Sequence, residues 1–197
     1  MNKFISKQFG KPQGLLGRTI GLIMLIKNRA RIEWVVSLLD IKTDERILEI
    51  GYGPGLAIEM IGNKLDKGKI TGVDHSRAMY EAASERNEML IYTNKAELFC
   101  CKIENLNQQA VFDKVFMINV NLFWKDPSAE LLRIKNFLKP AGKLFIALQP
   151  RFAKDNNELK IIASDLEKQI ITAGFKSLCI DYKTLNPIGM FCITATK

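Results

Sequence analysis

Along the chain, short apolar runs alternate with longer stretches whose apolar residues recur every three to four positions. Ile47–Ile50 and Ile70–Val73 are apolar runs of strand length bounded by turn residues, the signature of buried strands. Between them, Leu56–Leu65 has helical length, with the break Asp66-Lys67-Gly68 after it. Ser76 is placed to cap a helix running to about Leu90, with Met79, Ala82, Ala83, Arg86 and Leu90 along one face. Further strands fit Glu97–Cys101 and Lys114–Ile118. A helix then fits Ser128–Leu138, and a fifth strand Lys143–Leu148 follows the Pro140-Ala141-Gly142 turn. Strands separated by crossovers of this length predict an α/β fold, a doubly wound and mainly parallel sheet with right-handed connections.

Both ends depart from that rhythm. The helical pattern Asn157–Ala173, stopped by Gly174, leads into the strand-like runs Leu178–Tyr182 and Met190–Thr194, with Asn186-Pro187-Ile188-Gly189 between them. Parallel neighbours need a crossover of about a dozen residues or more, so these last two runs are predicted to be antiparallel, a hairpin at the sheet edge. The sheet is then expected to have seven strands. At the other end, Ile32, Val35, Val36 and Leu39 lie at helical spacing, and Asp40–Asp44 is a polar break. Residues 1–40 read as a basic helical arm or lid, and residues 41–197 as one domain. Gly17 and Gly21 weaken the helical pattern of Leu15–Met24.

Charge sharpens the picture of the arm. Lys3, Lys7, Lys11, Arg18, Lys27, Arg29 and Arg31 carry seven of the net +8 charges, with no acidic residue before Glu33. Such an arm suits an anionic membrane surface, a nucleic-acid backbone, an acidic ligand group, or simply solvent. The apolar segment Thr19–Ile26 is too short to span a bilayer, and no secretory cleavage pattern follows it, so a cytoplasmic protein is expected. At 197 residues and 47% hydrophobic content the chain can bury a substantial core. Cys100, Cys101, Cys179 and Cys192 lie in apolar, strand-like runs without metal-ligand spacing, so they read as buried cytosolic thiols and no metal site is expected.

The chemistry concentrates at Arg46-Ile-Leu-Glu-Ile-Gly-Tyr-Gly-Pro-Gly55, a strand-to-helix turn. Glycine lets backbone approach a ligand without a Cβ in the way, and the following helix offers unpaired N–H groups. A dinucleotide fingerprint places a glycine or alanine three residues after its second glycine; here that position is Leu56, which weakens a pyrophosphate reading. Asp74 ends the second strand, where ligands bind in such sheets. Glu49 lies among Ile47, Leu48 and Ile50, and a carboxylate inside a buried strand needs a partner.

An ordered set of features carries a family resemblance. It comprises the acidic residue before Gly51-x-Gly53-x-Gly55, Asp74, Phe112-Asp113-Lys114-Val115, Leu138-Lys139-Pro140-x-Gly142-Lys143-Leu144 and the closing hairpin. From about Arg46 to the C-terminus the chain resembles the class I S-adenosylmethionine-dependent methyltransferases, most of all small bacterial ones acting on small molecules. The resemblance implies a Rossmann-like methyltransferase fold, S-adenosyl-L-methionine as cofactor and S-adenosyl-L-homocysteine as product. It implies a cofactor site built from Glu49, Gly51, Tyr52, Gly53, Gly55 and Asp74, with Asp74 on the ribose diol and Glu49 near the ammonium group. His75 and Met79 are candidates to border the adenine. Lys102 and Ile103 are candidates for backbone contacts, although Cys101-Lys102-Ile103-Glu104-Asn105 lacks the acidic residue the family often has there.

The methyl-transfer site is expected at Asn119-Val120-Asn121-Leu122-Phe123-Trp124. An activated methyl donor needs chiefly proximity and orientation for in-line displacement. Asn119 suits the methionine portion or an acceptor; Asn121, Trp124 and the loop hydroxyl of Tyr52 are the candidates for acting on a small-molecule acceptor. The lone His75 is not expected to be a base. That segment is not the Asn/Asp-Pro-Pro-Tyr type, and no Pro-Cys pair is present, so nucleic-acid acceptors are disfavoured. A membrane-associated lipid or quinone-type acceptor reached through residues 1–31, and a non-catalytic cofactor-binding protein, remain as alternatives.

Overall fold

The computed structural model describes residues 29–120, 124 and 126–197. The expectations for the arm up to residue 28, and for Asn121, Leu122 and Phe123, lie outside the described residues. Residues 29–38 are helical (α1), and Val35, Val36 and Leu39 are buried as their spacing predicts.

The strands form a seven-stranded sheet in the order β3-β2-β1-β4-β5-β7-β6. They are β1 Arg46–Ile50, β2 Lys69–Asp74, β3 Ala96–Cys100, β4 Phe112–Ile118, β5 Leu138–Leu148, β6 Lys176–Lys183 and β7 Met190–Thr196. Strand β7 runs antiparallel to both β5 and β6, making the predicted closing hairpin. The chain divides into two compact units, one ending at Asn107 and one beginning at Gln108.

In the first unit, β1, β2 and β3 pair in parallel, with Glu49 opposite Gly72 and Gly72 opposite Leu98. Helix α2, Leu56–Gly62, follows β1; α3, Arg77–Arg86, follows β2. Ile47, Leu48, Ile58, Ile61 and Ile70 are fully buried, as apolar strands covered by helices require. The helix expected to run on to Leu90 instead divides at Asn87, and α4 is Glu88–Tyr92. Asn87 leaves the helical region (φ −108°, ψ 20°) and donates its side-chain amide to the carbonyls of Ala83 at 2.9 Å and Gly55 at 3.0 Å. A side chain competing for backbone acceptors is a local reason for a helix to stop.

In the second unit, β4 and β5 pair in parallel with Phe112 opposite Leu138, so β5 starts five residues earlier than the expected Lys143. The register shifts between Phe112 and Lys114, and Lys139 Nζ reaches both carboxylate oxygens of Asp113 at 2.8 and 2.9 Å. That ion pair links the strand starts across the irregularity, and the Pro140-Ala141-Gly142 segment lies inside β5 rather than before it. Helix α5, Pro127–Phe137, is capped by Asp126, which accepts the Ala129 N–H at 3.1 Å, and proline occupies its first turn. Helix α6, Asn156–Thr172, is capped by Asp155, and buries Leu159, Ala163, Leu166 and Ile170.

Candidate functional site

The glycine turn leaves β1 through Gly51, whose N–H donates to Val73 O at 2.7 Å, and closes when Gly55 N–H donates to Tyr52 O at 3.0 Å. Gly53 and Gly55 hold φ of 52° and 79°, a region side chains disfavour. Their surroundings differ. A Cβ on Gly53 would meet nothing within 4 Å among the described residues, so open space faces the backbone there. A Cβ on Gly55 would lie 2.5 Å from Asn87 Nδ2 and 2.8 Å from Ala83 Cβ, because α3 comes hard against it.

Asp74 ends β2 beside this loop. Its Oδ2 accepts the Gly53 N–H at 3.0 Å and its Oδ1 accepts the Ser76 N–H at 2.9 Å, so the carboxylate organises the turn on both sides. Ser76 caps α3 as expected, its hydroxyl accepting the Met79 N–H at 3.5 Å. Met79 is buried, whereas His75 is exposed, with Nδ1 3.8 Å from Asp74 Oδ1.

Glu49 is only 4% exposed, and its Oε2 has no hydrogen-bond partner among the described residues. Burial, reinforced by the Asp74 charge, pushes its carboxyl up to about 8, so the protonated form is favoured at neutral pH. A buried carboxyl with an unpartnered oxygen beside an open glycine turn matches a ligand that carries an ammonium group, for which it would ionise.

Tyr52 packs inward. Its ring is 3% exposed, set where a Cβ on Gly72 would come within 2.7 Å of its Cδ1, and its hydroxyl donates to Phe99 O at 3.2 Å. Burial is the main reason its ionisation is pushed far up, so the hydroxyl stays protonated. It bridges the turn to β3 through its bond to Phe99 O. Gly72 is what makes room for it.

Strand β3 leads to Lys102, which is exposed, and to Ile103, half-buried at the start of the short 3-10 turn Ile103–Asn105. The first unit therefore gathers Glu49, Gly51, Tyr52, Gly53, Gly55, Asp74, His75 and Met79 around one turn.

In the second unit, Asn119 follows β4 with φ 60°. Its N–H donates to Ala147 O at 2.9 Å and its Oδ1 accepts the Gln149 N–H at 2.8 Å, so its side chain links the carboxyl ends of β4 and β5. Gln149, buried, donates to Ile188 O at 2.7 Å, and its Oε1 has no partner among the described residues. Trp124 is half-buried. Among the described residues no group of three or more His, Cys, Asp or Glu is placed to hold a metal ion.

A family model described as "Methyltransferase domain" matches residues 47–142, the stretch that holds the turn, Asp74 and β4. An uncharacterized methyltransferase of Bacillus subtilis (strain 168), YdaC, is 31% identical over 179 residues, covering 90% of this chain and 97% of that protein. The chain belongs to the class I S-adenosylmethionine-dependent methyltransferases.

More distant matches agree on the fold. A malonyl-[acyl-carrier protein] O-methyltransferase of Priestia megaterium (strain DSM 319 / IMG 1521) is 29% identical over 101 residues, 51% of this chain and 35% of that protein. The crystal structure of a SAM-dependent methyltransferase from Aquifex aeolicus superposes with a TM-score of 0.73 at 18% identity, covering 91% of this chain and 97% of that one. Haemonchus contortus phosphoethanolamine N-methyltransferase 2, in complex with S-adenosyl-L-methionine, superposes at 0.69 and 17% identity, covering 85% of this chain and 52% of that one.

For a methyltransferase of this class the cofactor is S-adenosyl-L-methionine, and the turn fits it. Glu49 offers an unpaired buried oxygen, and Gly53 offers backbone facing open space. The residues that the linear pattern did not single out are Asn87 and Gln149. Asn87 carried a signal, a polar side chain continuing the Met79–Ala83 face, whereas nothing in the sequence marks Gln149.

Proposed function

We propose that the protein transfers a methyl group from S-adenosyl-L-methionine to a small-molecule acceptor, with the cofactor seated on the turn that Glu49, Gly51, Gly53, Gly55 and Asp74 build. The observation that carries this reading is the buried, unpartnered Oε2 of Glu49 beside the open backbone of Gly53. Bound there, the cofactor supplies an already activated methyl on a sulfonium, so this chain's residues need only bind, orient and exclude water. Glu49 receives the ammonium group and releases its own proton as it does so. Asp74, already fixed by two backbone N–H groups, keeps lone pairs for the ribose diol. Met79 and Ile103 border the adenine, His75 lies at its outer edge, and Lys102 contributes backbone.

Asn119 is the candidate for the methionine portion or the acceptor, and Asn121 and Trp124 are the candidates for holding the acceptor. With Tyr52 committed to Phe99 and His75 exposed, the reading includes no dedicated base, which suits an acceptor arriving deprotonated. Of the matched proteins, one is named for phosphoethanolamine, which favours a small acceptor, and another for a malonyl group on acyl-carrier protein. We place the protein in the cytoplasm, with residues 1–40 as arm and 41–197 as the catalytic domain.

Calorimetry with S-adenosyl-L-methionine and S-adenosyl-L-homocysteine tests the cofactor reading, and an acceptor screen with labelled methyl donor tests the transfer. Absence of binding to both would overturn it. The seven basic residues within the first 31 favour a second reading, in which the acceptor is presented at an anionic lipid surface. Failure to co-sediment with anionic vesicles at low salt would remove that reading.

A further inference from the structure

The carboxyl end of α3 makes contacts with the glycine turn that the assigned cofactor residues do not explain. Asn87, 1% exposed, donates to Gly55 O across 32 residues of sequence while also bonding Ala83 O. Arg86 Nε donates to Pro54 O at 3.1 Å, and its guanidinium pairs with Glu59 of α2 at 2.8 Å. Two consecutive carbonyls of the turn are thus met by Arg86, the last residue of α3, and by Asn87 just past it, and Gly55 O also accepts the Glu59 N–H of α2 at 3.1 Å. Because peptides are planar and trans, fixing Pro54 O and Gly55 O also fixes the opposed N–H groups of Gly55 and Leu56. The first then points to Tyr52 O, closing the turn, and the second points away from α3. The absence of a Cβ at Gly55 is what lets Asn87 come this close.

We propose that Arg86 and Asn87 are positioning residues that clamp the glycine turn in its cofactor-binding shape, an inference that rests on the function proposed above. Neither touches the reacting atoms. Their effect is preorganisation: without the clamp the turn must be ordered when the cofactor arrives, and affinity falls by that ordering cost. The methyl-transfer step at saturating cofactor is unaffected.

The test uses the full chain with Arg86→Ala, Arg86→Lys and Asn87→Ala. Arg86 is partly exposed, so Arg86→Ala is expected to fold, and it decides the matter if Asn87→Ala does not. In the ligand-free protein, hydrogen exchange read on peptides covering residues 51–59 is expected to quicken in both alanine variants while β2 and β3 stay protected. The dissociation constant for S-adenosyl-L-homocysteine, by calorimetry, is expected to rise about tenfold. The KM for the methyl donor is expected to rise with it, at kcat within twofold of wild type. Arg86→Lys, which keeps one donor, is expected to recover part of the loss.

Unchanged exchange in the turn with affinity within twofold of wild type would overturn the clamp. So would loosening spread evenly over the unit, or a fall in kcat at constant KM. If wild type bound neither ligand, the proposed function would fail, and the exchange measurement would still decide whether the turn is clamped.

Discussion

Asp74 Oδ2 accepts the Gly53 N–H at 3.0 Å, so the carboxylate at the end of β2 shapes the turn as well as offering a ligand partner. Asp74→Ala removes this bond and the one from Ser76 together. Calorimetry is expected to give at least tenfold weaker binding of S-adenosyl-L-homocysteine, and denaturant titration a stability loss of about 2 kcal/mol, from two hydrogen bonds to a charged acceptor. Asp74→Asn, which keeps one acceptor oxygen, is expected to fall between.

Tyr52 separates a packing role from a catalytic one. Tyr52→Phe deletes the hydroxyl that meets Phe99 O and leaves the ring in place. Turnover and cofactor affinity are expected to stay within about threefold of wild type, with a stability loss of about 1 kcal/mol. A hundredfold fall in kcat with intact affinity would instead assign Tyr52 the acceptor-orienting role.

The two glycines of the turn are expected to fail differently. Gly55→Ala combines a left-handed φ with a Cβ forced onto Asn87 and Ala83, so it is expected to lower stability by about 2–3 kcal/mol. Gly53→Ala bears the conformational cost alone, about 1 kcal/mol, yet its methyl enters the open space over the turn. Thermal melting and calorimetry together are expected to show Gly53→Ala as the more stable of the two, with cofactor binding weakened.

Glu49 makes both stability and binding depend on pH. Its folded-state carboxyl is raised from 4.5 to about 8, so between these values the folded protein holds a proton that the unfolded chain has released. Stability of the ligand-free protein from this group is therefore complete below pH 4.5 and declines as pH rises toward 8. Glu49→Gln is expected to flatten that decline. Cofactor binding, which needs the carboxylate, is expected to strengthen by up to about tenfold per pH unit from pH 6 to 8, and to release a proton detectable in buffers of different ionisation enthalpy.

The thiols divide by burial. Cys100 and Cys179 are exposed, at the end of β3 and in the edge strand β6, and so depart from the buried thiols expected of apolar runs, whereas Cys192 is buried in β7 with its thiol pushed up to about 12, chiefly by desolvation. Iodoacetamide at pH 7.5 followed by mass spectrometry is expected to label Cys100 and Cys179 in the native protein, and Cys192 only after denaturation.

The linear pattern of residues determined the order of strands and helices, the antiparallel closing hairpin, the glycine turn and its neighbouring acids. These are local or periodic properties: buried strands are apolar runs, turns need glycine, and a hairpin follows from too few residues for a crossover. The Ser76 cap was legible for the same reason, since a cap and the amide it accepts are three residues apart. Direction and partnership were not legible. That Tyr52 turns inward depends on the missing Cβ of Gly72 on another strand, and that Asn87 ends a helix depends on Gly55 O, 32 residues away. Whether Glu49 is paired could be known only once its surroundings were in place, because a buried charge is defined by the atoms that fail to meet it. Contacts between residues far apart in sequence leave no period in the chain; the tertiary structure alone decided them.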